Sequence, residues 1–411
     1  MTTETVPATT APATPKRGWV AWIRENLFNT WYNGLLTLIL GGLTVAALWF
    51  AVRAVAGFDL TIIKTNLRLF MIGKFPASQL WRPWVSGALL AHAVGLGSGL
   101  VHSATRERAQ KAGLPYIPST VSDILSRFWP VMVLVVVILL LTETITPTIM
   151  VILVAGAGAG GSYLGRWLPS RLWGWVAVVA LVIGGYMAMS AFGGVGWDAW
   201  GGLHLNLFLA VAGIAFAFPL GMLLALGRRS SLPVVRAMSV TYIEVVRGVP
   251  LIAILLFGAF AIGFLLPEGV RPSQVTRMLI AITAFEAAYI AEVIRGGLQA
   301  VPPGQTEASQ ALGLPPWKTM RLVVLPQALR ATIPPMVGQF ISLYKDTTLV
   351  AILGLTELLE ASFIVNSQPG FLGKGLFLVT LAFAGLVFWV GSYTMSREAR
   401  RLEKRLGVGE R

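Results

Sequence analysis

Apolar residues along this chain neither recur as a stripe every three or four positions nor alternate as on a strand. They run on for the length of a lipid crossing and stop at clusters of charge. A helix rising 1.5 Å per residue needs roughly 20 mostly apolar residues to cross about 30 Å of hydrocarbon. Ten stretches are candidates: Trp31 to Ala54, Trp84 to Ala104, Phe128 to Leu141, Thr146 to Gly165, Leu172 to Phe192, Leu203 to Gly227, Ser239 to Leu266, Val275 to Leu298, Thr332 to Gly354 and Gly375 to Met395. The third is short at 14 residues, and Thr142-Glu-Thr-Ile-Thr-Pro147 is the only turn signal between it and the fourth. The pattern predicts an all-α polytopic membrane protein of about ten transmembrane helices.

Composition agrees. Charged residues are 12% of the 411, about half the ~25% usual in soluble chains, and mean hydropathy is +0.73. No cysteine occurs, which excludes disulfides, thiolate metal sites and cysteine catalysis, and His92, His102 and His204 are too few for a histidine-rich metal centre. A net charge of +14 would point to nucleic acid in a soluble protein. Here its placement on loops matters more, and no nucleic-acid partner is expected. Met1 to Pro15 is Thr, Ala and Pro without an apolar core, which predicts a disordered cytoplasmic tail over residues 1–30 and not a cleaved signal peptide.

The positive-inside rule tests the count, because a missed span would exchange the two sides for everything upstream. With the N-terminus inside, Lys and Arg gather on the tail, on the loops near Arg106, Arg166, Arg228 and Lys318, and on the segment after Arg397. Outside segments hold only Lys64, Arg68, Lys74, Arg82 and Arg271. Both termini are therefore expected in the cytoplasm. The outside loop Gly57 to Pro83 carries four of those five cations, and part of it is expected to lie as an interfacial helix.

The glycine-rich segment Gly193 to Gly202 divides an extension of about five spans, 31–192, from a core at 203–397, followed by a basic cytoplasmic tail at 398–411. In the extension, Gly95-Leu-Gly-Ser-Gly99 and Gly156-Ala-Gly-Ala-Gly-Gly161 follow no strand, so they read as helix-packing surfaces and not as nucleotide loops. The core holds Glu244, Arg247, Glu286, Glu292, Arg295, Lys345 and Asp346 in or beside its spans. Each such charge costs about 2.5 to 3.5 kcal/mol at mid-helix unless it is paired or faces a cavity, so function is placed here.

A cytoplasmic loop, 301–331, carries the sharpest signal. Gln305 to Leu312 can form a short helix, Gly313 suits a left-handed C-cap, and Pro315-Pro316 prevents continuation. A second helix, Trp317 to Val324, is expected to stop before Pro326. Two short helices joined at a glycine make a stiff knob suited to docking in a partner's groove.

Here the chain resembles the membrane subunits of ABC importers, whose coupling loop reads E-A-A, three residues, G, nine residues, I-x-L-P. This chain has Glu307-Ala308-Ser309, Gly313 and Val323-Val-Leu325-Pro326 at that spacing, departing at Ser309 and Val323. Flanking segments, among them Glu244-Val-Val-Arg-Gly-Val-Pro250 and Lys345-Asp-Thr-Thr-Leu349, are similar to the polar amino-acid (histidine/glutamine-type) permeases, and the five-span extension to a subunit of the general L-amino-acid importers. The resemblance implies a type-1 importer transmembrane core formed by the last five spans. It implies transport of amino acids across a bacterial inner membrane, with ATP-binding subunits, a second permease subunit and a periplasmic amino-acid-binding protein as partners. It also implies that Glu307, Ala308, Ser309, Gly313, Leu325 and Pro326 couple the chain to the ATPase. No G-x4-G-K-[ST] motif occurs, so ATP and Mg belong to a partner chain, no cofactor is expected on this one, and no enzyme activity. The alternative, an ion-gradient-driven secondary transporter, should show inverted repeats with broken helices at corresponding positions, and none is visible.

Two sets of core charges remain. Glu244 with Arg247 and Glu292 with Arg295 sit at i, i+3 spacing, which predicts self-paired structural glue or a cytoplasmic gate. Glu286 and Lys345 each lie about 12 to 13 residues, ~18 to 20 Å, from the inside ends of their spans, and so share a depth near mid-membrane. A zwitterionic amino acid needs one cation and one anion. Glu286, Lys345, Asp346 and Thr347 are candidates for a transit site, and a purely structural ion pair is the competing reading.

Overall fold

The structure is a computed structural model that describes residues 19–113, 115, 121–168, 194–267 and 269–406. The chain divides into two compact units, Met1–Asp59 and Leu60–Arg411. The packing boundary thus falls ahead of the glycine-rich segment at Gly193–Gly202. The stretch Leu172 to Phe192, read as the fifth span, lies outside the described residues.

In the first unit, α1 (Trp19–Leu27) and α2 (Trp31–Ala56) are joined by a short turn in which Thr37 Oγ1 donates to the Leu27 carbonyl at 2.9 Å. α1 falls inside the expected disordered tail. The Thr/Ala/Pro composition ends at Pro15, and Trp19, Trp22 and Ile23 supply a helical apolar spacing after it. α2 is bare on successive faces, with Leu35, Leu36, Leu38, Ile39 and Leu40 all exposed, as suits a helix whose solvent is lipid.

The second unit runs α3 (Thr61–Ile72), α4 (Trp81–Lys111), α5 (Val121–Leu140), α6 (Thr146–Trp167), α7 (Gly202–Arg228), α8 (Pro233–Gly248), α9 (Leu251–Phe260), α10 (Gln274–Ala300), α11 (Pro303–Ala311), α12 (Leu325–Asp346), α13 (Leu358–Asn366) and α14 (Phe377–Leu406). Among the described residues, four helices are long and apolar enough to cross a membrane: Ala77–Lys111, Thr146–Trp167, Gly202–Arg228 and Phe377–Lys404. A broken pair, α8 with α9, makes a fifth.

That break corrects the expectation of one continuous span over Ser239 to Leu266. The two helices are bent by 105°. Pro250 supplies no N–H and pushes the residue before it out of the helical region, and Val249 is accordingly extended at φ −106°, ψ 135°. The short third stretch becomes α5 through extra residues at its N-terminal side, with a kink at Phe128 two residues before Pro130. The basic tail is helical as far as Leu406, where α14 ends, and its Glu398 pairs with Arg127 of α5 and with Arg401.

The segment expected to lie partly at the lipid interface packs one face on protein. α3 buries Ile62, Ile63, Asn66, Leu67 and Phe70 against α7, α13 and α14, while Lys64 and Arg68 stay exposed on its other face. Phe70 meets Phe383 edge-on at 5.2 Å, and Gln368 Nε2 donates to Asn66 Oδ1 at 2.8 Å. An apolar face that finds core helices has no reason to enter lipid.

α10 is the centre of the core. Ser273 caps it by accepting the Thr276 N–H, and its apolar and small residues pack against α7, α8, α9 and α12. α4 and α6 form the closest long pair, and the glycine clusters are the reason. A Cβ on Gly99 would lie 2.2 Å from the Ser162 carbonyl oxygen, and one on Gly161 2.2 Å from that of His92. In lipid there is little hydrophobic drive between helices, so attraction depends on backbones approaching this closely. Gly97, Gly156 and Gly160 face open space.

Gly161→Val should therefore force the two helices apart and destabilise the protein by about 1 to 3 kcal/mol, whereas Gly160→Val should be nearly neutral. Thermal unfolding of the detergent-solubilised chain checks this. Equal midpoints for the two variants would remove the packing role.

Candidate functional site

The loop at 301–331 folds as a knob. α11 ends in a Schellman-type arrangement in which Gly313 has φ 75°, its N–H reaches the Gln310 carbonyl at 2.9 Å, and the Leu314 N–H reaches Ser309 at 3.1 Å. Only glycine adopts that φ without strain. Ser309 is buried and its hydroxyl donates to the Gln305 carbonyl at 2.6 Å, while Glu307 and Ala308 face outward. Gln327 Nε2 bridges to Gln305 Oε1 at 3.1 Å and clasps the knob to α12. Leu312 and Trp317 stand bare at its tip, 83% and 60% exposed.

The second helix of the knob does not stop before Pro326, as expected. Pro316–Thr319 leads into a π-helical turn, Met320–Val324, and then directly into α12, with Leu325 and Pro326 at its start. The wider π turn absorbs the hydrogen bond that Pro326 cannot donate, so the knob is continuous with a core helix. Pro326 also lines an open apolar cleft of about 350 Å³ with Phe218, Leu329, Thr332, Ile333 and Met336.

Beside this end of the core lies a five-membered charge cluster. Glu292 and Arg295 pair within α10, as their spacing predicted, with Nε to Oε2 at 2.9 Å. Glu244 does not pair with Arg247. It takes Arg228 of α7 at 2.8 Å, and Arg247 instead lies 3.6 Å from Glu292, its guanidinium over the Tyr289 ring at 5.6 Å. Arg228 is also 3.8 Å from Glu292. The i, i+3 rule holds only where no other helix offers a better partner, and here α7 does. Arg228, which the spacing argument left as a loop charge, joins α7, α8 and α10.

At mid-core, Glu286 is 1% exposed, beside Gln339 and Asp346 of α12, and its Oε1 has no hydrogen-bond partner. Asp346 is half-buried and Lys345 exposed. Among the described residues no ion pair joins Lys345 to Glu286 or Asp346. The structure thus brings Glu286 and Asp346 together and leaves Lys345 outward, as their ~100° separation on the helix requires.

Thr347 is fully buried and begins a 3-10 turn, Thr347–Leu353. Its hydroxyl donates to the Tyr344 carbonyl at 2.7 Å and accepts from Asn206 Nδ2 at 3.0 Å. Asn206 also reaches Glu357, the N-cap of α13. Sequence reasoning missed both Asn206 and Glu357. The available signal was a lone amide and a lone carboxylate, each beside an apolar run.

Residues 217–408 match the family described as binding-protein-dependent transport system inner membrane component. Over 409 residues, 95% of this chain and 94% of the relative, the chain is 35% identical to the inner membrane amino-acid ABC transporter permease protein YhdY of Escherichia coli strain K12. It is 46% identical over 210 residues, 51% of this chain and 48% of the relative, to the glutamate/glutamine/aspartate/asparagine transport system permease protein BztC of Rhodobacter capsulatus. A crystal structure of an amino acid ABC transporter with histidines shares 28% identity over 49% of this chain and 90% of that chain, with a TM-score of 0.44.

The charge cluster makes an ordering testable. Glu244 is half exposed and pairs directly with Arg228, so Glu244→Gln should cost about 0.5 kcal/mol. Glu292→Gln should cost several-fold more, because it leaves three guanidiniums without their common counter-charge. Thermal midpoints of the two variants decide it, and a larger loss at Glu244 would reverse the assignment.

Proposed function

We propose that this chain, which belongs to the family of inner-membrane permease subunits of amino-acid ABC transporters, carries amino acids by alternating access, with its knob seated in a groove of an ATP-binding subunit that supplies the energy. Membership sets an ion-gradient-driven transporter aside. The proposed assembly adds a second permease subunit, because the core spans are too few to enclose a pathway alone, and a periplasmic amino-acid-binding protein on the opposite face. ATP and Mg are bound by the ATPase partner. In this reading the chain crosses the membrane about ten times with both termini in the cytoplasm, residues 31–192 form the extension, and 203–397 form the transport core.

The observation that carries the coupling role is the glycine-capped knob with Leu312 and Trp317 bare at its tip. Two exposed apolar side chains on a stiff element fit a protein groove, and continuity with α12 gives a displacement there a direct route to Lys345. Glu307, Ala308, Ser309, Gly313, Leu325 and Pro326 form and orient this element. The charge cluster of Glu244, Arg247, Glu292 and Arg295, joined by Arg228, acts as a cytoplasmic gate by holding α7, α8 and α10 together in one state.

For the amino acid itself, Lys345 takes the carboxylate and Asp346 the ammonium, with Glu286 behind Asp346 and Thr347 holding the segment from inside. An amino acid in water-accessible transit needs only such weak, paired contacts.

Gly313→Val should leave membrane insertion intact and uncouple transport, because a β-branched side chain is poorly tolerated at φ 75°. The measurement is ATPase stimulation in proteoliposomes containing the partner subunits, together with uptake of labelled L-glutamate, L-glutamine, L-aspartate, L-asparagine and L-histidine. Unchanged stimulation and uptake would remove the coupling role.

Lys345→Met should lower uptake strongly while ATP hydrolysis persists. Loss of the variant from the membrane would give Lys345 a structural role instead of one in transport. Normal abundance with normal uptake would defeat both readings.

A further inference from the structure

Glu357 and Asn206 lie at the opposite end of α7 from Arg228, and they are joined more completely than a helix cap requires. Three groups donate to the Glu357 carboxylate: the Glu360 N–H at 2.7 Å, the Leu359 N–H at 2.8 Å and Asn206 Nδ2 at 3.0 Å. Asn206 spends its other amide hydrogen on Thr347 Oγ1 at 3.0 Å and accepts the Leu358 N–H at 3.0 Å. Asn206, Thr347 and Glu357 are all 0% exposed. Capping alone would be met by a short Ser, Thr, Asp or Asn. The longer glutamate stem reaches past the cap to Asn206, at the cost of burying a carboxylate in a membrane protein.

What the pair holds is a change of helix type. α12 ends at Asp346 and the 3-10 turn begins at Thr347, where the rotation per residue rises from 100° to 120° and the direction of neighbouring side chains is decided. Lys345 and Asp346 are the last residues before that change. A threonine clamped from inside sets where those two point, and its own hydroxyl hydrogen is committed to the Tyr344 carbonyl.

We propose that Glu357 and Asn206 are positioning residues for transport, aiming Lys345 and Asp346 at the pathway through Thr347. The proposal rests on the reading of Lys345 and Asp346 as contacts for the amino acid. Because all three groups on Glu357 donate, a carboxylate is required, and an amide of the same shape would set an N–H against another N–H.

Glu357→Asp separates aim from folding. Aspartate is a good N-cap, so α13 keeps its start, but it is one methylene too short to reach Asn206. In proteoliposomes with the partner subunits, Glu357→Asp should raise the KM for the fastest-transported of the five labelled amino acids about tenfold, as for one lost hydrogen bond to a charged group. Maximal ATPase stimulation and abundance should be unchanged. Glu357→Gln should raise KM at least as far, because both carboxylate oxygens accept backbone N–H groups and the amide sets an N–H against one of them.

The chain has no native cysteine, so Lys345→Cys can be labelled with 2-aminoethyl methanethiosulfonate, and Glu357→Asp should alter its labelling rate. Unchanged KM and labelling rate in Glu357→Asp would overturn the proposal. So would loss of that variant from the membrane, since the pair would then serve folding and not aim. If Lys345→Met transports normally while the labelling rate still follows Glu357, the transit reading fails and the positioning of the segment stands.

Discussion

A polar group inside a bilayer has no water to turn to, and much of this structure follows from that constraint. Backbone groups meet it through helices. Side chains meet it by meeting each other, and they do so at a few places instead of singly. Arg228, Glu244, Arg247, Glu292 and Arg295 share their charges at one end of the core. Asn206, Thr347 and Glu357 satisfy one another at the other end. Each group ties together helices that are distant in sequence, so the requirement to pair polar atoms also decides which helices are neighbours.

The same solvent explains how the helices touch. Lipid offers leucine as good a home as another helix does, so contact must be won by close approach. α4 and α6 achieve it through Gly99 and Gly161, and α7 meets α10 with Gly221 facing Ile290 and the Ala287 carbonyl. Where the chain must change direction, proline and glycine do it without leaving buried donors unmet. Pro250 turns α8 into α9, Gly313 closes α11, and a π turn takes up Pro326 so that the knob runs on into α12. A permease needs both properties: rigid packing to transmit a displacement, and defined breaks at which it can be redirected.

Much of this could be read from the residues alone. Lipid-length apolar runs make membrane helices because their composition leaves no other favourable environment. Gly313 is left-handed because its neighbours end a helix there. Glu292 pairs with Arg295 because they are one helical turn apart. The glycine clusters mark helix contact because only small residues allow it. These are local or solvent-driven facts, and the sequence holds all their terms.

Other features depend on which helix lies opposite, and no spacing rule contains that. Glu244 leaves Arg247 for Arg228 because α7 brings a guanidinium closer. The loop ahead of α4 becomes a packed helix because α7, α13 and α14 offer a surface for Ile62, Ile63 and Phe70. Asn206 and Glu357 are ordinary polar residues until a separation of 151 positions is closed to 3.0 Å. Residue order was enough for the solvent, the all-helical character and the glycine turn of the knob. Only the tertiary structure decided the partners of each buried charge, because a pairing energy depends on distance in space, and distance along the chain does not set it.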